Sequence, residues 1–213
     1  MSTPPTKPPK PQRNQTASTE GANATEEGSA PSNESTDVAK ILEMDKDDES
    51  LRKYKESLLG SAAHGDLGNT NDPRRLVIEE FRVVFAPEEN LPDIVHNLSN
   101  EAGIKKLSDE GINMYEGCKF KFRIQFRVQH EIIVGVMFMN TMTRMLISDT
   151  EDLMLGSYPP SSTPHMFEFP KWDYNEAPSG MLYRGKYRVN NSFVDSAKRK
   201  HLQFEYDFTI VKR

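Results

Sequence analysis

From Cys118 to Val128 the chain alternates without a break. Cys118, Phe120, Phe122, Ile124, Phe126 and Val128 are apolar, and Lys119, Lys121, Arg123, Gln125 and Arg127 between them are polar. A period of two sends successive side chains to opposite faces, so this segment predicts an antiparallel strand with one buried and one wet, mostly cationic face. The run near the C-terminus repeats the pattern, with Leu202, Phe204, Tyr206, Phe208 and Ile210 inward and Gln203, Glu205, Asp207 and Thr209 outward. Leu76–Phe85, Glu131–Asn140 and Leu182–Asn190 read as further strands, the last bulged at Gly185. Turn clusters separate them at Glu116-Gly117, Pro159-Pro160 and Ala177-Pro178-Ser179-Gly180. Strands at this spacing, with no long helical stripe among them, predict an all-β chain: a β-sandwich over residues 74–213.

Upstream of Arg74 the periodicity changes. Asp37 is placed to cap a short helix carrying Val38, Ile41 and Leu42 on one face. An acidic cluster follows, and Asp47 or Asp48 caps a second helix running to Leu59, with Glu49 set to pair with Lys53 and Gly60 at the stop. The second helix shows the stripe Leu51, Tyr54, Leu58. Both are shorter than the ~12–15 residues at which isolated helices become marginal. They take their order either from a partner or from the rest of this chain. Residues 61–73 read as a linker by composition.

Residues 1–35 predict a disordered tail. The first aromatic residue of the chain is Tyr54, and six of the 14 prolines fall at Pro4, Pro5, Pro8, Pro9, Pro11 and Pro31. Such a segment buries too little apolar surface to offset an ordering entropy of ~1–2 kcal/mol per residue. Two overlapping P-x-x-P patterns, Pro5 to Pro8 and Pro8 to Pro11, suit an SH3 domain or belong to an inert tail.

Charge and candidate chemistry narrow the function. Lys and Arg number 27 against 32 Asp and Glu, a net charge of −5, which argues against nucleic acid as a partner. The single cysteine, Cys118, excludes an internal disulfide or a cysteine-built zinc site. It sits on the apolar parity of a strand, where a thiol acts as a small buried hydrophobe. No apolar run approaches a membrane span of ~18–20 residues, and no secretory hydrophobic region is present, so a soluble cytosolic protein without stable membrane insertion is expected. The five histidines are scattered, with no metal-ligand spacing, phosphate-cradling glycine loop or H-E-x-x-H pattern. The residues alone therefore describe a binding module rather than an enzyme, with no metal or cofactor expected.

One string extends this reading. MDKDDESLRKYKESLLG, Met44 to Gly60, closely resembles the N-terminal arm signature of the Rho GDP-dissociation inhibitors. Echoes of the same family follow in order: Phe126-Arg127-Val128 with Glu131-Ile132, Gly156-Ser157-Tyr158, EAPSGML from Glu176, and Arg184-Gly185. The resemblance implies an immunoglobulin-like sandwich whose sheets part to accept a geranylgeranyl tail. It also implies that the arm, residues 36–60, folds as a helical hairpin over the switch regions of a GTPase and slows GDP release. The implied partners are Rho/Rac/Cdc42-type small GTPases, geranylgeranylated and GDP-bound, each held with its lipid tail by a monomer in a 1:1 cytosolic complex.

By the same resemblance, Ile41, Leu42, Asp48, Leu51 and Tyr54 would contact the switches. The isoprenyl pocket would fall among Val83, Ile112, Phe120, Ile132, Leu182, Val189 and Tyr206. Asp149, Glu151, Asp152 and Glu176, with Glu168 and Asp173, would attract the basic stretch before the prenylated cysteine. This chain departs from animal members in three places. Tyr206 stands where those mostly have Trp, Ser196-Ala197 replaces an acidic stretch, and residues 140–147 are Met-rich where those are more basic. Two other readings share the fold: a general prenyl-lipid carrier without switch-directed inhibition, and an immunoglobulin-like scaffold with an ordinary core.

Overall fold

The computed structural model describes residues 37–44 and 47–213. The tail expected over residues 1–35 lies outside them, as do Asp45 and Lys46 of the acidic cluster. In chain order the strands are β1 (Leu76–Phe85), β2 (Ile94–Asn97), β3 (Ile112–Tyr115), β4 (Lys119–Val128), β5 (Ile133–Arg144), β6 (Ile147–Tyr158), β7 (His165–Phe169), β8 (Asn175–Glu176), β9 (Gly185–Val194) and β10 (Lys200–Val211). One sheet has the order β2-β1-β4-β7, with β8 also pairing β4, and the other β3-β10-β9-β5-β6. All pairings are antiparallel except β3 with β10. The result is an immunoglobulin-like β-sandwich.

The alternation read from the sequence explains how the sheets face each other. On β4, Ile124, Phe126 and Val128 are fully buried, while Lys121, Arg123 and Arg127 point outward. The outward cations are neutralised across the sheet. Glu168 on β7 accepts from Lys121 Nζ and Arg123 Nε, both at 2.6 Å, and Glu79 on β1 pairs with Arg127 at 2.8 Å. The core is strongly aromatic: Phe81 stacks on Phe122 at 5.3 Å and meets Phe204 at 5.9 Å, and Phe138 meets Phe193 at 5.0 Å. Each such side chain contributes roughly 1.5–3 kcal/mol by leaving water.

Two local features differ from the sequence pattern. Gly185 opens β9 instead of bulging it: its φ is +127°, and a Cβ there would lie 3.2 Å from Arg144 Nη2. The bulges fall at Ile78/Glu80, Ile133/Val136, Val136/Met137 and Lys200/Leu202. A helix without an apolar stripe covers Glu101–Glu110; Asn100 caps it, accepting from Gly103 N–H at 2.9 Å. It escaped notice because it offers only Ile104 and Leu107 to the core. Residues 61–73 make hydrogen bonds to the sandwich. Asp66 accepts from the Ser162 amide at 2.9 Å, the interaction that holds its carboxyl down to about 2.

Before the sandwich lie α1 (Val38–Glu43) and α2 (Glu49–Leu59), followed by a 3₁₀ turn over Gly60–His64; the helix over Glu101–Glu110 is α3. Asp37 caps α1 through Ala39 N–H at 2.9 Å. Asp48 caps α2 through Ser50 N–H at 2.8 Å and Leu51 N–H at 3.1 Å, which decides between Asp47 and Asp48. Glu49 and Lys53 pair at 2.8 Å.

Candidate functional site

The two sheets are closed at one end and part at the other. Along β5, Ile133, Val136 and Phe138 are buried, but Asn140, Met142 and Arg144 are only half-buried. Along β4 the inward residues Val128, Phe126 and Ile124 are fully buried, Phe122 is half-buried and Phe120 is 9% exposed. Where these ends face each other, the interior opens as a cleft of about 1040 Å³. That is at the upper end of the ~300–1,000 Å³ typical of ligand pockets. A sandwich packed at normal density leaves no such space.

The walls of the cleft follow from strand parity. Phe120 and Phe122 come from β4, Asn140 and Met142 from β5, Tyr187 from β9, and Tyr206, Phe208 and Ile210 from β10. The loop after β8 closes one side with Pro178, Met181, Leu182 and Tyr183. Arg144 fastens this loop to the β5–β6 hairpin, donating to the carbonyls of Leu182 and Arg184 and to Tyr187 Oη, the last at 3.0 Å. Glu116 holds the same loop from beneath, accepting from Gly180 N–H at 2.8 Å and from Arg184 at 2.6 and 2.8 Å. The mouth is thus braced by charged groups, and Arg144 is itself part of a lining that is otherwise largely apolar.

One polar patch sits among these walls. Asn140 and Asn191 are opposite each other in the β5–β9 ladder, and Asn191 is buried. Their Oδ1 atoms are buried without a hydrogen-bond partner among the described residues. Burial raises the Tyr206 hydroxyl above its ordinary pKa, with the hydrogen bond from the Asn191 side chain acting in the opposite direction.

The residues singled out from the sequence fall in several places. Phe120, Leu182 and Tyr206 line the cleft, Tyr206 buried and Leu182 exposed at the mouth. Val83, Ile112 and Val189 are fully buried in the closed core and do not reach it. Ile132 lies elsewhere, packed against the cluster of Val38, Leu59 and Ala62 beneath the arm. Among the acidic residues, Asp149, Glu151 and Glu176 line the cleft, whereas Asp152 is exposed on the other parity of β6. Glu168 is committed to Lys121 and Arg123, whose hydrogen bonds and charge hold its carboxyl below the usual range. Phe122, Met142, Phe169, Tyr187 and Phe208 were not singled out, although parity already turned Phe122 and Phe208 inward.

The arm is a hairpin with a footing on this chain. Lys55 Nζ donates to the carbonyls of Ile41 at 3.0 Å and Met44 at 2.6 Å, supplying partners to the last turn of α1. Val38, Leu59 and Ala62 are buried, with Ile41, Leu42, Leu67 and Ile132 against them. Ile41 and Leu42 therefore face the chain itself. Leu51, Tyr54 and Leu58 form the opposite stripe and are exposed.

Cys118 is fully buried, and burial pushes its thiol up to about 11, the condition of an unreactive core thiol. Among the described residues no group of His, Cys, Asp and Glu is arranged to hold a metal ion, and no helix is long and apolar enough to cross a membrane.

Comparison with known proteins agrees with this architecture. The family model described as RHO protein GDP dissociation inhibitor matches residues 14–213. The chain is 36% identical over 180 residues to the Rho GDP-dissociation inhibitor of Schizosaccharomyces pombe, covering 84% of each chain. It is 36% identical over 177 residues to that of Saccharomyces cerevisiae, covering 83% of this chain and 87% of the relative. To Rho GDP-dissociation inhibitor 1 of Homo sapiens it is 35% identical over 176 residues, covering 82% of this chain and 81% of that protein. The chain belongs to the Rho GDP-dissociation inhibitor family.

Proposed function

We propose that this protein binds geranylgeranylated Rho-type small GTPases in their GDP-bound form, one per monomer, and carries them in the cytosol. The lipid tail occupies the cleft between the sheets, and the arm lies on the switch regions and slows GDP release. The observation that carries the reading is the cleft of about 1040 Å³, open at one end of the sandwich in a chain of this family. The exposed stripe Leu51, Tyr54, Leu58 supports the second half, since a hairpin footed on one face leaves its other face for a partner. Tyr54 offers both ring area and a hydroxyl to such a partner.

Magnitudes assign the two halves different roles. Removing a lipid chain from water yields ~0.8 kcal/mol per CH₂, so a twenty-carbon tail gains more than about 10 kcal/mol in the cleft. A bilayer offers nearly the same, so transfer from membrane to cleft is close to neutral. The cleft permits extraction, and contacts unavailable on the membrane decide it. Those are the arm on the switches and the acidic residues Asp149, Glu151 and Glu176 at the mouth, at ~1 kcal/mol per charge toward a basic tail.

The test mixes the protein with a geranylgeranylated Rho-type GTPase on liposomes and follows flotation and GDP release together. GTPase in the soluble fraction with slowed release is the expected result. Leu51→Ala/Tyr54→Ala should restore fast release while a prenylated peptide still binds. A GTPase that stays on the liposomes contradicts the proposal. Peptide binding and extraction without any effect on GDP release would favour a general prenyl-lipid carrier.

A further inference from the structure

Around the mouth of the cleft the chain displays apolar side chains that soluble proteins normally cover. Leu146 is 100% exposed, Met145 89%, Leu182 83%, Met181 81% and Ile147 77%; Trp172, 88% exposed, stands two positions after the lining residue Pro170. Met145 and Leu146 form the two-residue turn between the paired ends Arg144 and Ile147. Met145 has φ +55°, a left-handed position that Gly or Asn usually takes. Turn chemistry and solubility both favour polar or small residues there, and this chain has neither. A local rule broken without a packing gain marks a functional surface.

We propose that this rim docks on the surface of a zwitterionic lipid bilayer, its tips entering the headgroup boundary so that the mouth of the cleft opens onto lipid. The proposal rests on the reading of the cleft as a lipid-chain site.

Three observations favour lipid over a protein partner. First, Met145, Ile147, Met181 and Leu182 also line the cleft, so apolar surface runs unbroken from the tips to the interior. A chain leaving a bilayer along that path never meets water. Second, the exposed groups are convex tips on two segments fastened together by Arg144, not a flat face. A bilayer boundary accepts tips without a matching recess. Third, Lys171 Nζ lies 4.9 Å over the Trp172 ring, a ring and cation suited to headgroup depth. The charge around the rim selects the lipid. Asp149, Glu151 and Glu176 line the cleft, are exposed and repel anionic headgroups. The contact is therefore shallow, reversible and strongest on neutral lipid.

Trp172 is the only tryptophan in the chain and serves as the reporter. Phosphatidylcholine vesicles, added to the full-length protein with no GTPase present, should shift its emission to the blue. Lipids brominated near the headgroup end of the acyl chain should quench it. Leu146→Glu/Ile147→Glu should weaken vesicle partition by at least about tenfold, because burying one such side chain is worth more than a tenfold step. Both residues are exposed, so the thermal melt should not move. Adding phosphatidylserine should weaken partition further, and salt should restore it. No blue shift and no co-flotation, partition unchanged by the double substitution, or tighter binding to anionic vesicles would each overturn the proposal. So would a rim that is buried only by self-association in the absence of lipid. Binding of a water-soluble geranylgeranylated peptide is measured in parallel. Peptide binding without vesicle docking removes this inference alone, and loss of both removes the lipid-chain reading beneath it.

Discussion

Asp48 separates a structural role from a recognition role in the arm. Its Oδ1 accepts from Ser50 N–H at 2.8 Å and Leu51 N–H at 3.1 Å, satisfying two of the amides that the start of α2 leaves without helical partners. Asp48→Ala removes both bonds. Loss of an N-cap costs about 1 kcal/mol, roughly a fivefold change in a folding equilibrium. An eleven-residue helix has little reserve to absorb that. Hydrogen exchange of the Lys53–Leu59 amides should therefore quicken about fivefold, while the sandwich, which makes no use of the cap, keeps its Tm. GTPase affinity should fall by at most the same factor, through the smaller share of molecules with a formed arm. Asp48→Ser keeps the cap without the charge and should stay near wild type in both assays. If Asp48→Ser loses affinity as Asp48→Ala does while exchange is unchanged, Asp48 acts by contacting the partner, and the capping argument fails.

Further outcomes follow from the same structure. Burial lowers the pKa values of His96 and His201 below the ordinary imidazole value of about 6.5, so around that pH the folded state holds fewer protons than the unfolded chain. Stability to urea should then fall as pH drops through about 6.5, and His96→Gln should flatten part of the slope; a stability that rises on acidification refutes the assignment. Cys118 should resist thiol reagents at mildly alkaline pH until urea unfolds the chain, because it is buried and its thiol lies near 11. Rapid labelling of the native protein would contradict that burial. Gly111 has φ +64°, and a Cβ there would lie 2.4 Å from the Asp207 carbonyl oxygen. Gly111→Ala should lose more than about 1 kcal/mol in urea unfolding, and a neutral result would mean that α3 does not sit where described.

Much of the fold is legible where one face is wet and the other dry. β1, β4 and β10 stand where the alternation placed them, because each has a single buried face. β6 escaped detection because its first six residues are exposed on both faces, leaving no apolar period to read. α3 was missed because two core contacts make no stripe. The site was harder. Alternation shows which residues turn inward but not at which end the sheets part, and the family resemblance, which groups Val83, Ile112 and Val189 with Phe120 and Tyr206, does not separate them either; of these five only Phe120 and Tyr206 line the cleft. Ile132 is grouped with them by the resemblance as well. It precedes β5, and the irregular pairing between Ile133 and Val136 with Gly135 at φ +63° re-phases the alternation there, which leaves Ile132 under the arm. The arm was recognisable from its string, but its footing on Val38, Leu59 and Ala62 depends on the distant Ile132, which no local pattern announces.

The central claim is that the parted end of the sandwich holds an isoprenyl chain. The most direct measurement is photo-crosslinking of the full-length protein with a geranylgeranylated peptide carrying a diazirine near the end of the lipid, followed by mass spectrometry of the adducts. The account predicts adducts on Phe122, Met142, Tyr206 and their neighbours on β4, β5, β9 and β10. Adducts confined to the arm cluster around Leu59 and Ile132, or labelling that an unlabelled prenylated peptide does not compete away, would contradict it.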